Sequence, residues 1–184
     1  MEDLSDEELV RIFNDGDNSV YEILFKRYYK KVYSLCYRFC NGDSNLAEET
    51  TQETFIQVYQ SLGRFKFNSS FYTWLYRVTF NTCSIAIKKA ARLRSGPIGN
   101  HERTIQGSDS TEPSVSILKK EKNSQVSQAV ADLPEDQKQV MILGPIMGHS
   151  YQEISDIIGE SITVIKGRLF RARQNFKTKF KKLK

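Results

Sequence analysis

The apolar positions of this chain recur every three or four residues, the spacing of helices buried along one side. Leu24, Tyr28, Val32, Leu35 and Phe39 step by 4, 4, 3 and 4, while Lys26, Arg27, Lys30 and Lys31 fall on the other side. That predicts an amphipathic helix to about Cys40, ended by Asn41–Gly42. Ser5 with Glu8, and Ser19 with Glu22, have capping-box spacing. A short first helix between them has Leu9, Ile12 and Phe13 as its apolar side, and Asp15–Gly16–Asp17 breaks it. A third helix is predicted from near Asn45 to Leu62, with Leu46, Ala47, Phe55, Val58, Tyr59 and Leu62 inward. The polar loop Gly63–Ser70 leads to a fourth, from Phe71 to about Arg94, on the stripe Phe71, Leu75, Val78, Thr82 and Ile85.

After Arg94 the periodicity stops. Residues 95–116, SGPIGNHERTIQGSDSTEPSVS, are rich in Gly, Ser, Thr and Pro and predict a flexible linker. Helical spacing returns at Val126, Val130 and Leu133. Pro134 suits the first position of the next helix, which carries Val140, Met141 and Leu143. Gly144–Pro145 then predicts an end or a kink, because proline clashes with the carbonyl four residues back, here Met141. The expected fold is all-α: two small helical domains, 1–94 and 117–184, joined by the linker at 95–116.

Ser150–Arg173, SYQEISDIIGESITVIKGRLFRAR, reads as two short helices joined by a tight turn. Ser150 and Glu153 make a capping box, Ile154, Ile157 and Ile158 share a face, and Gly159 suits the left-handed residue after a helix end. Ser161 is a fresh N-cap, and Ile162, Ile165 and Leu169 form the second helix's inward stripe. Thr163, Lys166, Arg168 and Arg171 fall outward. This is the pattern of a helix-turn-helix that lays its second helix in a DNA groove, a reading favoured over the plainer one of an αα-hairpin in any helical bundle.

Charge shifts the balance towards a polyanion. The net charge is +5, but residues 161–184 hold nine Lys or Arg and no acid, and residues 54–101 hold seven and no acid. Residues 1–53 carry twelve acids against six bases. Nine aromatics lie within 54–101, and Phe65, Phe67, Tyr72 and Tyr76 fall off the helical stripe or in the loop. Rings interleaved with cations suit single-stranded nucleic acid, where stacking contributes ~1–3 kcal/mol per base. On the third helix, Glu48, Glu49, Gln52 and Glu53, with Gln57 further on, make an acidic, Gln-rich face. The helix dipole accounts for Glu48 but less well for Glu53, and such a face can also dock on a basic protein.

Cys36, Cys40 and Cys83 form no metal-ligand pattern, and an odd, sparse count fits reduced thiols in a reducing compartment. The acidic start MEDLSDEEL is unlike a secretory signal, and no apolar run approaches the ~18 residues of a membrane span. A cytoplasmic location without membrane insertion is expected. No P-loop, HExxH, CxxC or Ser/His/Asp arrangement occurs, so no catalytic residue, metal, cofactor or small-molecule substrate is expected. An ordinary two-domain transcription regulator would explain 150–184 equally well but not the aromatic-basic block, and a helical interaction protein with a basic tail is a third reading.

Five motifs in order bring in a family. They are AEE–QETF at Ala47–Phe55, SSFYTWLYR at Ser69–Arg77, LPEDQ at Leu133–Gln137, SYQEIS at Ser150–Ser155 and KGRLFRAR at Lys166–Arg173. Leu24–Lys89 resembles the region-2 domain of bacterial extracytoplasmic-function (group IV) sigma factors, and Ala131–Phe176 resembles their region-4 domain. The resemblance implies a protein that binds core RNA polymerase, reads the minus-35 and minus-10 promoter elements, and promotes DNA melting. It also implies an anti-sigma factor as a partner.

Carried over by position, the minus-35 duplex would be contacted by Ser161, Thr163, Val164, Lys166, Gly167, Arg168 and Arg171. Arg168 and Arg171 would meet guanine edges or flanking phosphates. In region 2, the loop Phe65–Ser70 would capture a base flipped from the melted non-template strand. Phe67 would wall the pocket, and Asn68, Ser69 and Ser70 would bond the base edge. Arg77, Asn81, Lys88 and Lys89 would line the strand, while Glu49, Gln52, Glu53 and Gln57 would meet the polymerase clamp. The chain departs from the family pattern at Gly144–Pro145, at Thr50 and Thr51, and at Thr163, Val164 and Gly167 on the reading face, so the family's role is carried over without its promoter sequence.

Overall fold

A computed structural model describes residues 3–94 and 125–182, in two compact units. The linker expected at 95–116, and the start of the second domain at 117–124, lie outside the described residues. The first unit contains α1 (Asp6–Asn14), α2 (Tyr21–Phe39), α3 (Ser44–Ser61) and α4 (Phe71–Arg94). The second contains the helical segment α5 at 125–131, then α6 (Glu135–Met141), α7 (Tyr151–Ile158) and α8 (Ile162–Lys182). No strand occurs among the described residues.

α2 packs against α3 and α4, and its whole predicted stripe is buried: Leu24, Tyr28, Val32, Leu35 and Phe39. Each such side chain contributes about 1.5–3 kcal/mol on burial. α3 buries three threonines beside Ala47, Phe55 and Val58. The hydroxyls of Thr50, Thr51 and Thr54 donate to the carbonyls of Leu46, Ala47 and Thr50 at 2.6, 2.7 and 2.7 Å. Their polar atoms are therefore satisfied inside the helix, and their methyls serve as core. Thr50 and Thr51 are thus buried without leaving a hydroxyl unpaired. Tyr59, expected inward, is 44% exposed, although its ring meets Phe13 and Tyr21.

α4 has the predicted bounds but a different inward side. Phe71, Leu75, Tyr76, Thr79, Phe80 and Cys83 are buried, whereas Val78 and Thr82 are half-buried and Ile85 is 68% exposed. The expected stripe lies to one side of the true one, because α4 carries two apolar rows and spacing alone does not say which faces in. Beneath it, the Sγ atoms of Cys36 and Cys83 lie 3.6 Å apart as buried free thiols. The Cys83–Cys36 hydrogen bond lowers the Cys36 pKa and raises that of Cys83 well above the ordinary value.

The capping boxes divide. Ser5–Glu8 and Ser150–Glu153 form as expected. Ser19–Glu22 does not: Asp17 instead accepts from the Ser19 N–H at 2.9 Å and caps a short 3-10 turn, Asn18–Val20, ahead of α2. An Asp two residues earlier outcompetes Ser because its carboxylate is the stronger acceptor.

In the second unit, α8 packs against α6 and α7 over Val140, Leu143, Ile154, Ile157, Ile165, Leu169 and Ala172. Pro134 takes the N-cap of α6 and not its first turn. The α-helix ends at Met141, just before Gly144–Pro145, as the sequence predicts. α6 widens into a π-turn over Ile142–Ile146, closed by Met147 N–H to Ile142 O at 3.0 Å. That wide turn accommodates a proline ring that α-helical spacing would reject. Gly144 lets it settle close to its neighbours: a Cβ there would stand 3.2 Å from Ile154 Cδ1.

Candidate nucleic-acid interface

The second unit presents α8 on a capped hairpin. Gly159 holds φ +81 at the end of α7, the left-handed turn its missing side chain allows, and the Ser155 hydroxyl donates to the Glu160 carbonyl at 2.6 Å. Ser161 then caps α8, accepting from the Val164 N–H at 3.4 Å. With Ile165, Leu169 and Ala172 buried, the opposite side of α8 exposes Thr163, Val164, Lys166, Gly167 and Arg171. The ammonium of Lys166 sits 5.7 Å from the ring centroid of Tyr151, in the first turn of α7.

Arg168 is placed differently. Its guanidinium bonds Glu160 at 2.9 Å and approaches Asp136 at 3.9 Å, with only 20% of the side chain exposed. It braces the turn to α6 and stands apart from the free cations. Phe170, outside the predicted contact set, is 65% exposed on the same side as Thr163, Gly167 and Gln174. Its signal was present: an aromatic out of phase with the stripe Ile165, Leu169 and Ala172.

In the first unit, loop 65–70 is held by its rings. Phe65 is buried and packs on Phe71 and Trp74 at 6.3 and 5.3 Å, and Tyr76 is buried too, so neither is free for a base. Phe67 is 37% exposed and lies 4.8 Å from the Phe65 ring. It holds φ +56, a left-handed conformation costly for an aromatic residue. Asn68, Ser69 and Ser70 are exposed beside it, and Ser70 caps α4 by accepting from the Thr73 N–H at 3.1 Å. Arg77, Asn81 and Lys88 are all exposed and share one side of α4.

Lys89 lies further round α4, on a groove of about 730 Å³ between α3 and α4. Glu49, Glu53 and Gln57 form one wall, at successive four-residue steps along α3; Asn81, Ile85 and Lys89 are on the other. Gln57 donates to Glu53 at 2.7 Å, and Gln52 donates to Glu48 at 3.2 Å. Glu48 accepts from the Tyr29 hydroxyl at 2.9 Å, which raises the tyrosine pKa and ties this acid to α2. Thus Glu49, Gln52, Glu53 and Gln57 are exposed together, and Asn81 and Lys89 face the same groove as the acids. No cluster of metal-ligating side chains occurs among the described residues, nor any helix long and apolar enough to cross a membrane.

The profile of the family described as Sigma-70 region 2 matches residues 24–93, and that of Sigma-70, region 4 matches 124–176. The chain is 32% identical over 177 residues to the RNA polymerase sigma-H factor of Pseudomonas aeruginosa, covering 92% of this chain and 90% of the relative. It is 32% identical over 189 residues to the ECF RNA polymerase sigma-E factor of Escherichia coli K12, covering 99% and 97%. Among solved structures, the sigma factor RpoE of Bartonella quintana, crystallised with the anti-sigma factor NepR, is similar in fold. Its TM-score is 0.68 at 20% identity, over 88% of this chain and 96% of that one. CnrH, in complex with the cytosolic domain of CnrY, gives a TM-score of 0.67 at 20% identity, over 94% and 95%.

Proposed function

We propose a division of labour between the two units, from the premise that the chain belongs to the sigma-70 family of RNA polymerase sigma factors, in its extracytoplasmic-function branch. As a sigma factor it directs RNA polymerase to promoters. In our reading, 117–184 anchors the minus-35 element as duplex, 1–94 captures the melted minus-10 strand, and 95–116 joins them. The protein works in the cytoplasm by binding alone, with no reaction of its own.

The observation that carries this reading is the free side of α8, where Thr163, Lys166, Gly167 and Arg171 stand exposed on a helix anchored by Ile165, Leu169 and Ala172. This suits a helix seated in the major groove. Arg171 takes a base edge, while Ser161 and Lys166 take phosphates and Thr163, Val164 and Gly167 give close contact. Arg168 keeps the hairpin rigid through Glu160. In the first unit, Phe67 stacks on a flipped base that Asn68, Ser69 and Ser70 bond, and Arg77, Asn81 and Lys88 follow the strand. Glu49, Gln52, Glu53 and Gln57 meet a basic surface of the polymerase.

The groove behind that acidic row, with Ile85 and Leu93 among its apolar residues, takes a helix of an anti-sigma factor. Such a partner would cover the acids and Lys89 together. Mixing the purified chain with core polymerase tests the whole reading. Co-elution and promoter-dependent runoff transcription are expected; binding to duplex DNA without association with core would make the chain an ordinary regulator and overturn it.

A further inference from the structure

α1 touches the minus-10 loop at two points. Glu7 and Arg11 lie one turn apart, on the same side of α1. Glu7 Oε1 accepts the Phe71 N–H at 2.9 Å, a contact spanning 64 residues that supplies an acceptor and a negative charge at the N-terminus of α4. The Arg11 guanidinium carbon stands 5.1 Å from the centroid of the Phe67 ring. α1 is itself fixed to α2: Asp6 pairs with Arg27 and accepts from the Tyr28 hydroxyl, and Arg27 also donates to the Leu4 carbonyl at 3.0 Å. One end of the loop is therefore pinned and its central ring is stacked by a helix braced from behind.

Phe67 needs such support, because its left-handed backbone is unfavourable for a side chain with a Cβ and persists only where the surroundings impose it. Phe65 supplies one neighbour and Arg11 the other. The geometry points to α1 as a clamp on the minus-10 loop: Glu7 fixes its exit, and Arg11 is a positioning residue that holds the Phe67 ring ready for the flipped base. This rests on the reading of loop 65–70 as the base-capture site. Arg11 acts through Phe67, lowering the cost of ordering the ring when the base arrives.

The test uses reconstituted holoenzyme and pre-melted promoter DNA carrying either the natural base or an abasic site at the captured minus-10 position. The readout is the ratio of the two affinities. Phe67→Ala is expected to lower the ratio sharply, to what the bonds from Asn68, Ser69 and Ser70 leave. Arg11→Ala is expected to lower it roughly twofold to fivefold, the strength of an exposed cation–π contact, with abasic binding unchanged. Arg11→Lys should recover part of the loss, and the double variant should equal Phe67→Ala alone, as coupled residues do. A ratio unmoved by Phe67→Ala overturns the capture reading, and the clamp with it. A ratio that falls with Phe67→Ala but not with Arg11→Ala overturns the clamp alone. Equal weakening on both templates by Arg11→Ala makes it a phosphate contact and likewise overturns the clamp.

Discussion

Gly167→Ala should make the protein more stable and a poorer reader of its promoter. Gly167 lies inside α8, five residues after the helix begins, in ordinary helical backbone rather than the left-handed region. A Cβ built there meets nothing within 4 Å, so the fold gives no steric reason for glycine. The substitution should therefore yield close to the full difference in helix propensity, about 0.8–1 kcal/mol. In a domain of this size that raises the melting midpoint of the second unit by roughly 4–8 °C, read by circular dichroism on the full chain. On the holoenzyme, a methyl forced into a close protein–DNA contact should cost roughly 1–3 kcal/mol of minus-35 affinity, as overpacking does elsewhere. The salt dependence of binding should not change, because no phosphate contact is lost. An unchanged or lower midpoint would refute the structural half of the argument. Unchanged affinity would show that Gly167 does not face the DNA, and its presence would then have no account.

Arg171→Ala should weaken minus-35 binding by ~1–3 kcal/mol on the cognate sequence and much less on others, measured by titrating holoenzyme onto both; equal loss on every sequence would make it a phosphate contact. Glu53→Lys should reduce co-elution with core polymerase while leaving the melting curve intact, since Glu53 is exposed on α3; undiminished core binding would move the docking surface elsewhere. Ser150→Ala should destabilise the second unit by about 0.5–2 kcal/mol at neutral pH. It should also flatten that unit's acid dependence. Hydrogen bonds from the Ser150 N–H and hydroxyl, both 2.8 Å, lower the Glu153 pKa in the folded state. The stabilisation is thus complete above the ordinary carboxylate value of about 4.5 and is lost as pH falls through it towards the folded value. The variant keeps the N–H bond and loses only the hydroxyl's share, while the cap bond from the Glu153 N–H to Ser150 Oγ does not titrate, so between pH 6 and about 3 the two melting curves should draw closer without meeting; parallel curves would exclude the linkage.

How much of this was legible in the sequence depended on whether polarity tracked burial. α2 was fully legible because every inward residue is apolar, and both capping boxes with Glu three residues on from Ser5 and Ser150 formed. α3 was half legible, because Thr50, Thr51 and Thr54 read as polar while their hydroxyls are spent on carbonyls one turn back. The π-turn at Ile142–Ile146 was missed because the proline rule assumes α-helical spacing, which the chain gives up there. At the site, side chains that stay exposed, such as Lys166 and Arg171, were found by helical phase alone. The ion pairs of Arg168 had no sequence signal, because its partners, Glu160 and Asp136, lie on other elements. The contacts of Glu7 and Arg11 with the loop had no sequence signal at all: they join residues 64 and 56 positions apart, and periodicity speaks only for neighbours along one helix.

α4 is the helix in which apolar spacing and burial diverge most. At 24 residues it is about 36 Å long, and it shows its surroundings three different sides. One side, with Leu75, Tyr76, Thr79 and Cys83, is core. A second, with Arg77 and Lys88, is solvated and cationic, and Asn81 stands where it borders the groove. The third, with Val78, Ile85 and Leu93, lines the groove beside Glu49 and Glu53 and leaves Ile85 68% and Leu93 70% exposed. Scattered exposed apolar residues need no explanation, but these are aligned along one groove with charges at its rim. Polar residues there would cost the isolated unit little, since their apolar area is not buried. The row is therefore best explained by something outside the unit, and a partner helix is what such a groove admits. The stripe Phe71, Leu75, Val78, Thr82 and Ile85 thus spans two surfaces, one that holds the fold and one that lines the groove where we propose that a partner helix docks.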